Sequence, residues 1–237
     1  MNILITGASR GIGAAIATSF AGPGRTLAIN YLQNEDAARA VAGEVEARGG
    51  TAVLVQGNVR AEEDCKRLAA VFPDGVDVLV HNAAVGALKP YATIRTSQWD
   101  LTLESSLRPF WMLTKLCKLN DGGNVIGISS LGSRNYIPGY AAMGAAKAGL
   151  EALTRQLAVE LAPRVRVNTV CGGLVQTDAL AYFPEGKAML EAAEKLTPLG
   201  RVGTPQDIAD AVLLLCDARA SWITGQVLVA DGGLSVV

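Results

Sequence analysis

Seven short apolar runs punctuate the chain: Asn2–Thr6, Thr26–Tyr31, Ala52–Gln56, Val76–His81, Val125–Ser129, Val165–Thr169 and Val227–Ala230. Most are continuous stretches of Val, Ile and Leu rather than alternations of apolar and polar residues. A strand with one wet face alternates, so continuous apolarity predicts strands covered on both faces, as in a parallel sheet clad by helices. Between the runs lie helix-like segments: Gly11–Phe20, Asn34–Arg48, Ala61–Val71, Gln98–Lys118, Gly139–Leu161 and Pro205–Cys216. Strand–helix alternation over the whole length predicts one doubly wound α/β domain spanning residues 1–237. The stretch 174–201 breaks the rhythm, with Pro184, Gly186, Pro198 and Gly200 around a helical patch near Lys187–Leu196. An insertion after a late strand is expected to serve as a substrate lid.

Composition narrows the class. The 237 residues are 50% hydrophobic, enough for one large core, and 21 basic against 22 acidic residues leave a net charge of -1. No basic run points to nucleic acid. No apolar run approaches the roughly 20 residues a membrane helix needs, and no basic segment leads into a secretory stretch. A cytoplasmic protein without membrane contact is expected. Cys65, Cys117, Cys171 and Cys216 are scattered, and His81 is the only histidine, so no metal site is expected.

The first run ends in Thr6-Gly7-Ala8-Ser9-Arg10-Gly11-Ile12-Gly13 and a helix follows. Glycines at this strand-to-helix turn let backbone approach a diphosphate, and the helix N-terminus offers free N–H groups. The context, opening a βαβ unit, makes this a dinucleotide site of Rossmann type in which Gly7, Ser9, Arg10, Gly11, Ile12 and Gly13 contact the cofactor. A site for NAD usually has an acid at the end of the second strand; here stand Asn30-Tyr31-Leu32-Gln33-Asn34, and Arg10 can face a 2'-phosphate. The expectation is NADPH rather than NADH, with Asn30 and Tyr31 beside the adenosine ribose. Asn58-Val59 fits equally an adenine contact and an ordinary strand-end turn.

Tyr140 and Lys147 suggest proton chemistry beside this site. Seven positions apart, they share a helix face but lie ~10 Å apart along the axis, whereas a tyrosine in the slot of Met143 would lie ~6 Å from the lysine.

These motifs, with Asn82-Ala83-Ala84, Ser129-Ser130, Val165–Asn168, Ile223–Gln226 and Asp231-Gly232-Gly233, resemble the short-chain dehydrogenase/reductase family end to end. The resemblance implies that Asn82, Ala83, Ala84 and Gly173 line the cofactor, that Val175 and Thr177 flank the nicotinamide carboxamide, and that Lys147 holds the nicotinamide ribose. The family's usual tyrosine slot holds Met143, and its middle-helix asparagine, which orders a relay water in ketoreductases, maps to Ser106. The Tyr140–Lys147 spacing and Gly172-Gly173 in place of Pro-Gly are similar to type III enoyl-acyl-carrier-protein reductases. That likeness implies Tyr140, Lys147 and Ser130 as catalytic residues. Tyr136, Met143 and Leu180 would contact an acyl thioester carried on acyl carrier protein or coenzyme A. Tyr136 is the rival donor, and Ser130 can bind the thioester oxygen or cap its strand. An atypical ketoreductase and a silent dinucleotide-binding regulator are the alternatives. Family members pair their long helices across subunits, which implies a homotetramer or a dimer.

Overall fold

The computed structural model describes residues 1–177 and 186–237, with the side chains of 186–189 excepted. Leu180, with the rest of residues 178–185 of the expected lid, lies outside the described residues. Seven strands, β1 (Asn2–Ile5), β2 (Thr26–Tyr31), β3 (Thr51–Gln56), β4 (Val76–His81), β5 (Leu119–Ser130), β6 (Val165–Gly172) and β7 (Val227–Ala230), form one sheet in the order β3-β2-β1-β4-β5-β6-β7. Every pairing is parallel. The helices are α1 (Gly11–Phe20), α2 (Glu35–Ala47), α3 (Glu62–Ala69), α4 (Thr96–Ser106), α5 (Arg108–Leu116), α6 (Ala141–Leu161), α7 (Gly186–Leu196) and α8 (Pro205–Cys216).

The unbroken apolar strands have their predicted cause. Ile3 and Ile5 pack into one core with Ile16 and Phe20 of α1, Val41 and Val45 of α2, and Ile208 and Val212 of α8. Leu4, between them, points the other way, into a core with Leu68 of α3, Phe110 and Leu113 of α5, and Leu150 and Leu157 of α6. Burying a side chain such as Leu4, which is 0% exposed, contributes about 2 kcal/mol. Successive residues feed opposite cores, so neither face can be polar.

Chain order reverses at β1, whose neighbours are β2 on one side and β4 on the other. This switch point, at the carboxyl ends of the strands, is where open α/β sheets bind ligands in a crevice.

Several boundaries differ from the sequence reading: β5 begins at Leu119 rather than Val125, and β6 runs on to Gly172 rather than Thr169. The helix expected over Gln98–Lys118 is two helices, broken at Leu107 (φ -119°, ψ -58°). Pro109, at the start of α5, has no N–H to donate, and its ring obstructs the preceding turn. The helix expected from Gly139 begins at Ala141, and Tyr140 is its N-cap.

Candidate active site

The glycine loop is shaped for a close ligand. Gly7 and Gly11 take φ of 62° and 55°, left-handed values that favour glycine. A Cβ on Gly13 would strike the Gly7 carbonyl and come within 2.6 Å of the Asn82 amide. No side chain caps α1, so its first-turn N–H groups point into the crevice uncapped. A dinucleotide diphosphate fits this cradle: positive dipole, free donors and no Cβ in the way. Thr177 closes the far side, 3.7 Å from where a Gly11 Cβ would stand.

Several predicted contact residues hold the cradle itself. The Asn30 Oδ1 accepts from the Gly7 N–H at 3.1 Å, and its Nδ2 donates to the carbonyls of Val55 and Gly57. Its amide is therefore spent on joining β2, β3 and the glycine loop, and Tyr31 is 6% exposed within the core. Both side chains are thus turned to the protein, and a contact to the ribose would fall to their backbone. Asn82 donates to the Thr6 and Gly7 carbonyls, while the Thr6 hydroxyl accepts the Asn82 and Ala83 N–H groups. Ala83 lies directly against Gly7, Ala84 is exposed at the crevice, and Ser9 and Ile12 are partly buried in the loop. Asn58 accepts from the Arg60 N–H and its own N–H donates to Asp64, the strand-end turn role, while Val59 is buried. Arg10 is exposed at the head of α1. Gly173 touches Asp231, and Val175 bridges to Gly203.

Ser130 and Tyr140 meet where the end of β5 faces the head of α6, and Lys147 lies further along α6 against Ile128 of the same strand. The Ser130 hydroxyl hydrogen-bonds the Tyr140 phenol, and it also accepts from the Gly132 N–H at 3.4 Å, so it both faces the site and caps its strand. Burial pushes the Tyr140 phenol above its usual range and outweighs the Ser130 hydrogen bond, which pulls the other way. The phenol is therefore a firmly protonated donor at neutral pH. Gly132 lies flat against its ring, where any Cβ would overlap the ring carbons. Lys147 is 5% exposed, and its Nζ donates to the Ile128 carbonyl at 2.8 Å. Burial lowers its pKa to about 8, which leaves it mostly charged near neutrality.

Tyr136 is 89% exposed and has no side-chain hydrogen bond among the described residues, a poor position for the rival donor. Met143 is buried, packed on Gly86 and 3.8 Å from the Ser106 hydroxyl. The Ser106 hydroxyl donates to the Val85 carbonyl, and its backbone carbonyl meets His81 Nε2 at 3.3 Å.

Two residues escaped the sequence reading. Glu151 is 5% exposed one turn beyond Lys147, and its carboxylate accepts from Ser129, Ser133 and Arg134. An acid between the apolar Leu150 and Leu153 of a buried stripe was its signal. His81 is 1% exposed between Thr6 and Ser106, and its signal was a lone histidine ending an apolar strand.

A parallel sheet with a glycine cradle at its switch point and a Ser–Tyr–Lys cluster beside it defines an oxidoreductase that uses a nicotinamide dinucleotide. The chain belongs to the short-chain dehydrogenase/reductase family, and residues 7–235 match the family model described as enoyl-(acyl carrier protein) reductase. It is 39% identical over 245 residues to the 1-cyclohexenylcarbonyl-CoA reductase of Streptomyces collinus, covering 99% of this chain and 86% of that protein. It is 35% identical to the 3-oxoacyl-[acyl-carrier-protein] reductase of a Synechocystis strain, covering 98% of this chain and 95% of that one. Among solved structures, the angucycline C-6 ketoreductase LanV with bound NADP superposes with a TM-score of 0.92 at 30% identity, covering 100% of this chain and 96% of that one.

Proposed function

We propose that this oxidoreductase uses NADPH to reduce the carbon–carbon double bond of an α,β-unsaturated acyl thioester, carried on acyl carrier protein or coenzyme A, in fatty acid or polyketide-type biosynthesis. The observation that carries the reading is the placement of the phenol. Tyr140 stands at the head of α6, seven positions before Lys147, while Met143 fills the slot one turn before the lysine.

NADPH held in the glycine cradle supplies a hydride, which in a conjugate reduction goes to the β-carbon. Negative charge would then develop on the thioester oxygen, several bonds away, and a proton from solvent water would be added at the α-carbon. The Tyr140 phenol donates a hydrogen bond to that oxygen, and Ser130 holds the phenol. Lys147 adds a positive field, and its remaining N–H groups hold the ribose. The Ser106 hydroxyl donates to the Val85 carbonyl, and no asparagine side chain stands at this position to order a relay water, which suits a reaction in which the phenol stabilises charge rather than being reprotonated through a water chain. The name of the Streptomyces collinus relative describes an unsaturated acyl thioester of this kind.

Reduction of a ketone is the second reading, favoured by the ketoreductases among the relatives and by a Ser130–Tyr140 pair able to grip a carbonyl. Residues 174–201 are proposed as the substrate cover. Exposed Trp99 on α4, Trp111 on α5 and Val159 on α6 favour a homotetramer or dimer paired through these helices.

The test is NADPH oxidation with crotonyl-CoA and with acetoacetyl-CoA. Loss of cofactor absorbance with crotonyl-CoA alone supports the proposal, loss with acetoacetyl-CoA alone supports the second reading, and loss with neither argues for a silent dinucleotide-binding protein. Tyr140→Phe should lower turnover by a factor of ~100 or more while NADPH binding persists. Wild-type turnover in that variant would remove Tyr140 from the mechanism.

A further inference from the structure

The stretch 129–134 reaches Tyr140 from below, and one buried carboxylate holds it. Glu151 Oε1 accepts from the Ser129 hydroxyl at 2.8 Å and the Ser133 hydroxyl at 2.6 Å, and Oε2 accepts from Arg134 Nε at 3.1 Å. The two serines bracket the residues that touch the phenol: Ser130, which hydrogen-bonds it, and Gly132, which lies against its ring. Glu151 belongs to α6, the helix that Tyr140 caps and Lys147 occupies. One side chain therefore ties the end of β5 to the helix bearing the other two members of the site.

A stability role alone is a poor account of this arrangement. Burying a carboxylate costs several kcal/mol before its partners return anything, and an apolar side chain could fill the same space between Leu150 and Leu153. What a carboxylate gives that an apolar group cannot is direction. Two hydroxyls converging on one oxygen and a guanidinium on the other fix three points of a short loop relative to a rigid helix.

We infer that Glu151 is a positioning residue that sets the Ser130 hydroxyl against the Tyr140 phenol by clamping residues 129–134 to α6. The inference rests on the proposed role of Tyr140 as the donor to substrate, but the contact it concerns exists without substrate. Glu151→Gln keeps an acceptor oxygen for the serines and loses the charge that holds Arg134. Ser130→Ala removes the contact itself.

The experiment combines a double-variant cycle with a spectroscopic signal. In protein labelled at the tyrosine Cζ carbon, the Tyr140 resonance, assigned by its absence in Tyr140→Phe, reports the hydrogen bond from Ser130. Ser130→Ala and Glu151→Gln should shift it in the same direction, and the double variant should shift it no further than Ser130→Ala. With whichever thioester the wild type reduces, Glu151→Gln should lower kcat by roughly tenfold with KM nearly constant, and cost almost nothing further in the Ser130→Ala background. An unmoved Tyr140 resonance in Glu151→Gln, or additive losses in the cycle, would overturn the inference. Reduction of acetoacetyl-CoA alone would sink the enoyl reading and leave the Glu151 result standing, since the resonance is read without substrate.

Discussion

Acid should loosen the nucleotide cradle through one residue, His81. Its Nε2 faces the Ser106 carbonyl at 3.3 Å, and a carbonyl only accepts, so Nε2 carries the proton. Nδ1 is then an acceptor, and the Thr6 hydroxyl, 3.4 Å away, donates to it. The same hydroxyl oxygen receives the Asn82 and Ala83 N–H groups. Protonating Nδ1 would turn the Thr6 contact into a clash of donors and bury a cation near Lys147. Burial foremost, then the Lys147 charge, pushes the His81 pKa from 6.5 down to about 3. Between those values the unfolded chain binds the proton and the folded chain does not. Stability therefore rises with pH, is fully present above the unfolded pKa, and is lost as pH falls from 6.5 towards 3. At 1.36 kcal/mol per unit the loss is about 2 kcal/mol by about pH 5, and approaches roughly 5 kcal/mol at the lower limit. Urea unfolding of the wild type and of His81→Asn at about pH 7.5 and about pH 5 isolates it, because the carboxylates titrate alike in both. The wild type should lose about 2 kcal/mol more than the variant. As the chain has one histidine, its ring proton gives a single imidazole signal by NMR. A folded-state titration near 6.5, or parallel stability losses in the two proteins, would refute the reasoning.

Other expectations follow from the same geometry. With the Lys147 pKa brought down to about 8, kcat/KM should fall as pH rises through about 8 and the ammonium is lost; a flat profile to about pH 10 would contradict a charged lysine in the mechanism. Arg10→Ala should weaken NADPH about tenfold and leave NADH nearly unchanged, by direct binding titration, since only NADPH carries the 2'-phosphate. Gly132→Ala would drive a methyl into the Tyr140 ring, so turnover should fall about a hundredfold while NADPH binding holds.

The fold was open to sequence reasoning where physics is local or periodic. Short, β-branched, continuously apolar runs favour strands covered on both faces, and the two cores that receive Ile3 and Leu4 from opposite sides are that inference realised. The helix break at Leu107 was also available, because Pro109 stood in the middle of the expected helix; the apolar periodicity on either side masked it. At Asn30 the sequence alone does not separate two roles. Its position at the strand end suggests the cofactor, but a polar side chain at a strand end can serve ligand or backbone. Only the positions of Gly7, Val55 and Gly57 around it decide between them. Glu151 and His81 needed tertiary structure outright, since their partners lie on separate elements and no spacing rule links them.

The same distinction bears on Tyr140. As a residue inside α6 it would differ from the family's usual tyrosine only by one turn of axial distance. As the N-cap it differs in kind. Its backbone leaves the helix, its carbonyl accepts the Gly144 N–H at 2.6 Å, and no side chain caps the turn. The phenol thus stands beside the positive end of the α6 dipole, a field worth typically 0.3–1 kcal/mol to a nearby anion. Lys147 lies ~10 Å along the axis, where a nicotinamide ribose would be held. A ketone has no use for this separation, because its hydride and its developing charge fall on adjacent atoms. An unsaturated thioester does, because conjugation carries the charge from the β-carbon to the oxygen. The axial separation of the two residues is therefore what the proposed function needs, and Met143, buried against Gly86, occupies the nearer slot.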